Sequence, residues 1–182
     1  MNKLIFITGN QHKADFLSRH LGMPVDHHKL DLDELQSLDI HAVVEHKVRQ
    51  AYAVLCKPVV VEDAGLIFTA MGRLPGTFVK WFIQEIGNKG LAQLAASLPS
   101  QSARGIVCYG LFDGKKVHLF DGEMYGRIAD KVRDGGMGFG YDAIFINEGF
   151  NKTRAEMSEE EYARTSYRME AIEKMRAFLT ER

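Results

Sequence analysis

The stretch Val59-Val60-Val61-Glu62-Asp63-Ala64-Gly65-Leu66 constrains the fold more than any other. Three consecutive β-branched residues suit an extended strand and leave it no polar face, so it must be covered on both sides. Strands of this kind belong to parallel sheets in α/β proteins, where helices pack on both faces. Carboxylates at the end of such a strand lie where open α/β sheets bind ligands. A strand alternates its side chains, so Glu62 and Asp63 point to opposite sides and take different roles.

The rest of the chain fits the same class. Residues 3–8, KLIFIT, are a short apolar run ending at Gly9-Asn10, and Ala14, Leu17 and Leu21 follow at helical spacing. Strand, glycine turn and helix open an α/β unit. Residues 24–30 suit a second strand. Residues 40–55 suit a helix with Val43, Val44, Val48, Ala51 and Leu55 on one side, closed by Pro58. Helices are expected over 77–87 and 90–98. Residues 103–112 and 117–126 are expected as strands joined by a turn at Asp113-Gly114. Four glycines in residues 135–142 make a loop, AIFI (143–146) suits a strand, and Ser158 with Glu161 forms a capping box opening the C-terminal helix. The expected fold is α/β, with a parallel centre, an antiparallel hairpin lobe and a groove between, in one domain over residues 1–182.

Composition narrows the function classes. A formal net charge of -1 excludes a global basic field for nucleic acid or membrane surfaces. The apolar run near the N-terminus is too short for a signal peptide or a spanning helix, so the expected location is the cytoplasm. Cys56 and Cys108 lie in apolar stretches and read as reduced core residues. Trp81 and Phe82 read as core or as a subunit interface.

Several clusters can carry chemistry. In ITGNQHK (7–13) the turn into a helix presents backbone N–H groups and the positive end of the helix dipole, with Asn10 as N-cap and Lys13 one turn on. An ordinary capped helix has the same local pattern. One of the carboxylates ending VVV suits Mg²⁺, a hard ion that takes one or two carboxylates besides substrate phosphates. Asp31, Asp33 and Glu34 supply further oxygen ligands, and Lys47 shares a helix face with Val43 and Val44. In MGFGYDAIF (137–145), Gly138 and Gly140 allow close backbone approach. Phe139 and Tyr141 offer flat faces and Asp142 an acceptor, which suits a nucleobase, or equally a loop whose aromatics plug the core. Arg168 shares a face with Ile172, Met175 and Leu179, where a cation must find a partner or a ligand.

The order of these pieces is more specific than any of them. ITGNQHK, VEDAGL, LPGTFVKWF, GFGYDAIF and AEMSEEEYARTSYR together resemble the inosine triphosphatase family, from residue 4 to about residue 178. The resemblance implies an α/β fold with an elongated mixed central sheet, flanking helices and two lobes around a nucleotide-binding groove, and Mg²⁺-dependent hydrolysis of ITP, dITP or XTP to the monophosphate and pyrophosphate, usually by a homodimer. It implies that Thr8, Asn10, Lys13 and Lys47 meet the triphosphate, and that Glu34 and Asp63 are the metal-linked carboxylates. Asp63 is then the activator of water, with Lys13 and Lys47 beside it in catalysis. Phe139, Gly140, Tyr141 and Asp142 match the base-binding loop, and Arg168 the arginine that reads the purine edge.

Three positions leave the family's pattern. Tyr167 stands where the family usually has histidine, Tyr162 where it usually has lysine, and Ala64 where it usually has Ser or Thr. Histidine and lysine donate to the 6-oxo group of hypoxanthine and xanthine, whereas a tyrosine hydroxyl donates or accepts and is uncharged at neutral pH. The phosphate end is therefore expected to be intact and the base end retuned, with altered or broadened base choice as one alternative. A nucleotide-binding module without catalysis is the other.

Overall fold

The computed structural model describes residues 4–181. In chain order they form β1 (Leu4–Ile7), α1 (Gln11–Leu21), β2 (Val25–His28), α2 (Ile40–Leu55), β3 (Val59–Phe68), β4 (Pro75–Gly76) and α3 (Val79–Ala96). Then follow β5 (Ser102–Phe112), β6 (Val117–Ile128), β7 (Phe145–Asn147), α4 (Glu159–Arg164) and α5 (Tyr167–Thr180). The strands make one mixed sheet of order β2-β1-β3-β5-β6-β7, with β4 paired to β3. β1 is parallel to both β2 and β3, while β4 on β3 and β7 on β6 are antiparallel. Among the described residues no helix is long and apolar enough to cross a membrane.

The chain clusters into two compact units. The first holds the chain through Ala64, Val107–Gly122 and the chain from Arg168 onward; the second holds Gly65–Ile106 and Glu123–Tyr167. In the first unit, Val59, Val60 and Val61 are buried as a strand without a polar face requires. Val59 and Val61 pack with Ile5, Val44, Val48, Ala51 and Cys108, so the apolar stripe of α2 covers that face of the sheet. Each valine or isoleucine side chain so removed from water is worth roughly 1.5–3 kcal/mol. Asn10 caps α1 by accepting from the Lys13 N–H at 3.2 Å, and Asp39 caps α2 by accepting from the His41 N–H at 3.0 Å.

The second unit holds β4, α3, β7, α4 and the adjoining parts of β3, β5 and β6. α3 runs through both helices expected from sequence but breaks where they were expected to part, at Gly87 (φ 64°, ψ 178°). The capping box of Ser158 and Glu161 opens α4.

Three expectations need correction. Cys56 is exposed: it ends α2 with φ 51° and its position in an apolar run gave no sign of that. Trp81, expected in the core or at a subunit interface, is 47% exposed, which removes the core alternative for it. The last strand starts at Phe145, since the Ile144 and Phe145 N–H groups both turn back to the Tyr141 carbonyl.

Candidate active site

Alternation along β3 separates the two carboxylates as expected. Asp63 follows Val59 and Val61 onto the α2 face, and Glu62 follows Val60 onto the other. On the α2 face the Lys47 ammonium donates to Asp63 Oδ2, while the Ala64 N–H donates to Oδ1 at 2.9 Å. Both oxygens of the carboxylate are thereby oriented. Between β2 and α2, the Gln50 side chain holds Asp33 by both its N–H (3.1 Å) and its carbonyl (3.2 Å). That pins the acidic segment carrying Glu34 to α2, on the helix that also bears Lys47; Glu34 itself is exposed.

The Glu62 side chain is 1% exposed, so its charge must be met by the groups around it. Its Oε1 meets Lys13 Nζ at 2.9 Å and Arg168 Nη2 at 3.0 Å, and its Oε2 accepts from the Tyr109 hydroxyl at 2.7 Å. Burial pushes this carboxyl up, but the charges of Arg168 and Lys13, with hydrogen bonds from Arg168 and Tyr109, more than offset it and hold the pKa well below the carboxylate range. Glu62 therefore fixes two cations from different helices, Lys13 on α1 and Arg168 on α5. Thr8 braces the turn before α1, its hydroxyl accepting from the Asn10 N–H at 3.1 Å.

The second unit gathers the other sequence-picked residues. Asp142 is buried; its Oδ2 accepts from the Phe139 N–H (2.9 Å) and the Tyr162 hydroxyl (2.8 Å), its Oδ1 from Arg154 Nε (2.9 Å). Gly138 has φ +76°, and a Cβ there would lie 2.3 Å from Asp142 Oδ2, so the glycine is required twice over. Asn88, just past the break in α3, donates to the Gly140 carbonyl at 2.8 Å and ties helix to loop. Phe139 is left 41% exposed on the loop. The Tyr141 hydroxyl lies 3.0 Å from the Gly65 carbonyl and 3.1 Å from the Tyr167 hydroxyl, and both tyrosines are buried.

Thr8, Asn10, Lys13, Glu34, Lys47, Asp63 and Arg168 lie in the first unit, where Lys47 meets Asp63 on one face of β3 and Lys13 and Arg168 meet Glu62 on the other; Phe139, Gly140, Tyr141, Asp142, Tyr162 and Tyr167 lie in the second. Arg168, expected at a purine edge, is ion-paired to Glu62. Three contributors escaped the sequence reading. Glu62 seemed the less certain acid of its pair, although a buried strand delivering an acid to its second face already demanded cationic partners there. Tyr109 lies in an apolar run with nothing to mark its hydroxyl. Arg154 is wholly buried, donates from Nη1 to Asn147 Oδ1 (3.0 Å) and Thr165 Oγ1 (3.1 Å), and stacks 4.2 Å over the Tyr162 ring. A charged residue just ahead of a capping box was the only signal for it.

A central strand that delivers oriented carboxylates, with lysines of α1 and α2 beside them, has the chemistry suited to enzymes acting on phosphate esters and anhydrides. Residues 4–178 match the Ham1 family, and the chain belongs to it. It is 36% identical over 194 residues to the inosine triphosphate pyrophosphatase of Scheffersomyces stipitis, covering 98% of each chain. It is 36% identical over 176 residues to the dITP/XTP pyrophosphatase of Methanopyrus kandleri, covering 94% of this chain and 93% of that one. The fold matches that of a HAM1 protein from Coxiella burnetii with a TM-score of 0.87, at 23% identity over 100% of both chains.

Proposed function

We propose that the chain hydrolyses non-standard purine nucleoside triphosphates, ITP, dITP and XTP, to the monophosphate and pyrophosphate. The observation that carries this reading is the end of β3, where Lys47 and the Ala64 N–H orient the Asp63 carboxylate. The relatives named above support it. Asp63 takes a proton from a water whose oxygen attacks the α-phosphorus; the bond from that phosphorus to the bridging oxygen breaks, and pyrophosphate leaves with the electron pair. Such a step needs positioning and charge neutralisation more than covalent help. Lys13 and Lys47 bind the phosphate oxygens, and the α1 N-terminus behind Thr8 and Asn10 adds backbone donors. Glu62 keeps Lys13 from collapsing elsewhere by holding it at 2.9 Å.

The donor chemistry at Asp63 and Glu34 is all carboxylate oxygen, which fits Mg²⁺ and not a softer ion. These two residues would hold it, and it would supply neutralisation of the charge on the phosphate oxygens. In the second unit Phe139 offers a stacking face for a purine, and Gly140, Tyr141, Asp142, Tyr162 and Tyr167 shape and read its edge, with Arg168 assigned to that task by the family resemblance. The same resemblance carries two further parts of the proposal, a homodimer and a cytoplasmic location.

One observation favours a second reading of base choice. The Tyr141 hydroxyl lies within hydrogen-bond distance of both the Gly65 carbonyl and the Tyr167 hydroxyl. Tyr167 thus places a hydroxyl, able to accept as well as donate, where the family's histidine presents a donor. Tyr162 commits its proton to Asp142. This arrangement favours purines that carry a donor at the edge, broadening the choice beyond 6-oxo bases.

The test is pyrophosphate release with Mg²⁺ from ITP, XTP, dITP, ATP, GTP and 6-aminated purine triphosphates. The proposal expects release from ITP, dITP and XTP. No release from any nucleotide overturns hydrolysis and leaves the binding-module reading; ATP or GTP outrunning ITP overturns the preference for non-standard purines, and ATP doing so, since its 6-amino group is a donor, supports the second reading.

A further inference from the structure

Besides the residues assigned above, His41 on α2, Cys108 on β5 and Asp121 on β6 bring a nitrogen, a sulfur and a carboxylate oxygen within 4.8 Å of one another. His41 Nε2 lies 2.8 Å and 2.9 Å from the two Asp121 oxygens. The Cys108 side chain is buried behind them, while His41 and Asp121 are 49% and 44% exposed. All three belong to the first unit. We propose that His41, Cys108 and Asp121 form a three-residue binding site for a divalent transition-metal ion of the zinc class.

The donor set selects that class. Zinc takes thiolate, imidazole and carboxylate together, whereas Mg²⁺ takes hard oxygens and does not favour sulfur. Bond lengths of about 2.0–2.3 Å in a tetrahedron put ligand atoms roughly 3.3–3.6 Å apart. The histidine–aspartate contact opens by about half an ångström to reach that spacing, which two half-exposed side chains accommodate. The buried sulfur approaches from the sheet side and solvent supplies the fourth position, as in zinc sites with three protein ligands.

Proton balance is satisfied without a further reagent. Burial and the facing Asp121 carboxylate push the Cys108 thiol up, so it is protonated in the metal-free protein. A dication beside it reverses both effects: the sulfur–metal bond forms as the proton leaves to water. The consequence is a clamp from the first turn of α2 onto β5 and β6. α2 is the helix that presents Lys47 to Asp63.

The probe is Co²⁺ added to the full-length, metal-stripped protein, followed by the thiolate-to-cobalt charge-transfer band in the near ultraviolet, with Zn²⁺ as the displacing ion. The expected result is a saturable band at one equivalent that Zn²⁺ abolishes and a large excess of Mg²⁺ leaves intact. Cys108→Ser should remove the band. His41→Ala, a change at an exposed side chain that leaves the core untouched, should weaken Co²⁺ binding by more than about tenfold, the effect that outer-shell changes alone can reach. Glu34→Gln should leave binding unchanged. No band in the wild type overturns the site. A band that survives His41→Ala at full affinity, or that disappears in Glu34→Gln, overturns the assignment of these three ligands.

Discussion

Replacing Glu62 by glutamine tests the buried charge cluster at the heart of the first unit. The amide keeps the carboxylate's shape and an acceptor for Tyr109, but turns an NH₂ toward Arg168 and Lys13. Removing one partner from a buried ion pair costs about 3–5 kcal/mol. Arg168 is 7% exposed and has no route to water, whereas Lys13, at 23%, can rehydrate, so the lower end, about 3 kcal/mol, applies. For a domain of this length that lowers Tm by roughly 6–12 °C. The pH dependence fixes the cause. The folded pKa of Glu62 lies below its ordinary 4.5, so its contribution is complete above 4.5 and is lost as pH falls toward the folded value. The gap between wild type and variant should be the same at pH 7 and pH 5.5, then shrink by about 2 kcal/mol at pH 3, at about 1.4 kcal/mol per pH unit. Calorimetric unfolding of both proteins across that range is the assay. A Tm loss below about 2 °C at pH 7, or a gap that does not narrow in acid, refutes the charge-hub reasoning.

Three further substitutions address the catalytic reading. Asp63→Asn should lower kcat by about 10²–10⁴, the usual worth of a general base, with unfolding by circular dichroism still cooperative; near-wild-type turnover removes Asp63 from that role. Phe139→Ala should raise KM for ITP roughly 5–150-fold, from ~1–3 kcal/mol of lost stacking, with a smaller loss of Tm than a core phenylalanine gives, because the residue is 41% exposed. Tyr167→His restores a donor beside Tyr141 and should raise the ITP-over-ATP ratio of kcat/KM roughly 2–13-fold, one neutral hydrogen bond's ~0.5–1.5 kcal/mol; an unchanged ratio clears Tyr167 of base selection.

The parts of this protein that follow from period and punctuation were legible in its sequence. The valine run gave a buried strand, Asn10 a helix cap, and Ser158 with Glu161 a capping box, because each rests on local chemistry. The opposite facing of Glu62 and Asp63 followed from alternation alone. What stayed hidden depends on partners distant in the chain. Tyr109 reaches a residue 47 positions away, and Arg168 one 106 away. Arg154 lies nearer its partners and drew no reading from sequence, yet it is the most deeply buried cation described, because Asp142, Asn147 and Thr165 close around it. Cys56 erred the other way: an apolar neighbourhood in sequence placed it inside, and the left-handed end of α2 turns it out.

The central claim is that Asp63 directs water to the α-phosphorus, so that the chain releases pyrophosphate in one step. Hydrolysis of ITP in heavy-oxygen water, with mass spectrometry of the products, tests it most directly. The account predicts the heavy oxygen in the nucleoside monophosphate and none in the pyrophosphate. Label in the pyrophosphate, or in orthophosphate released from a diphosphate intermediate, would contradict it.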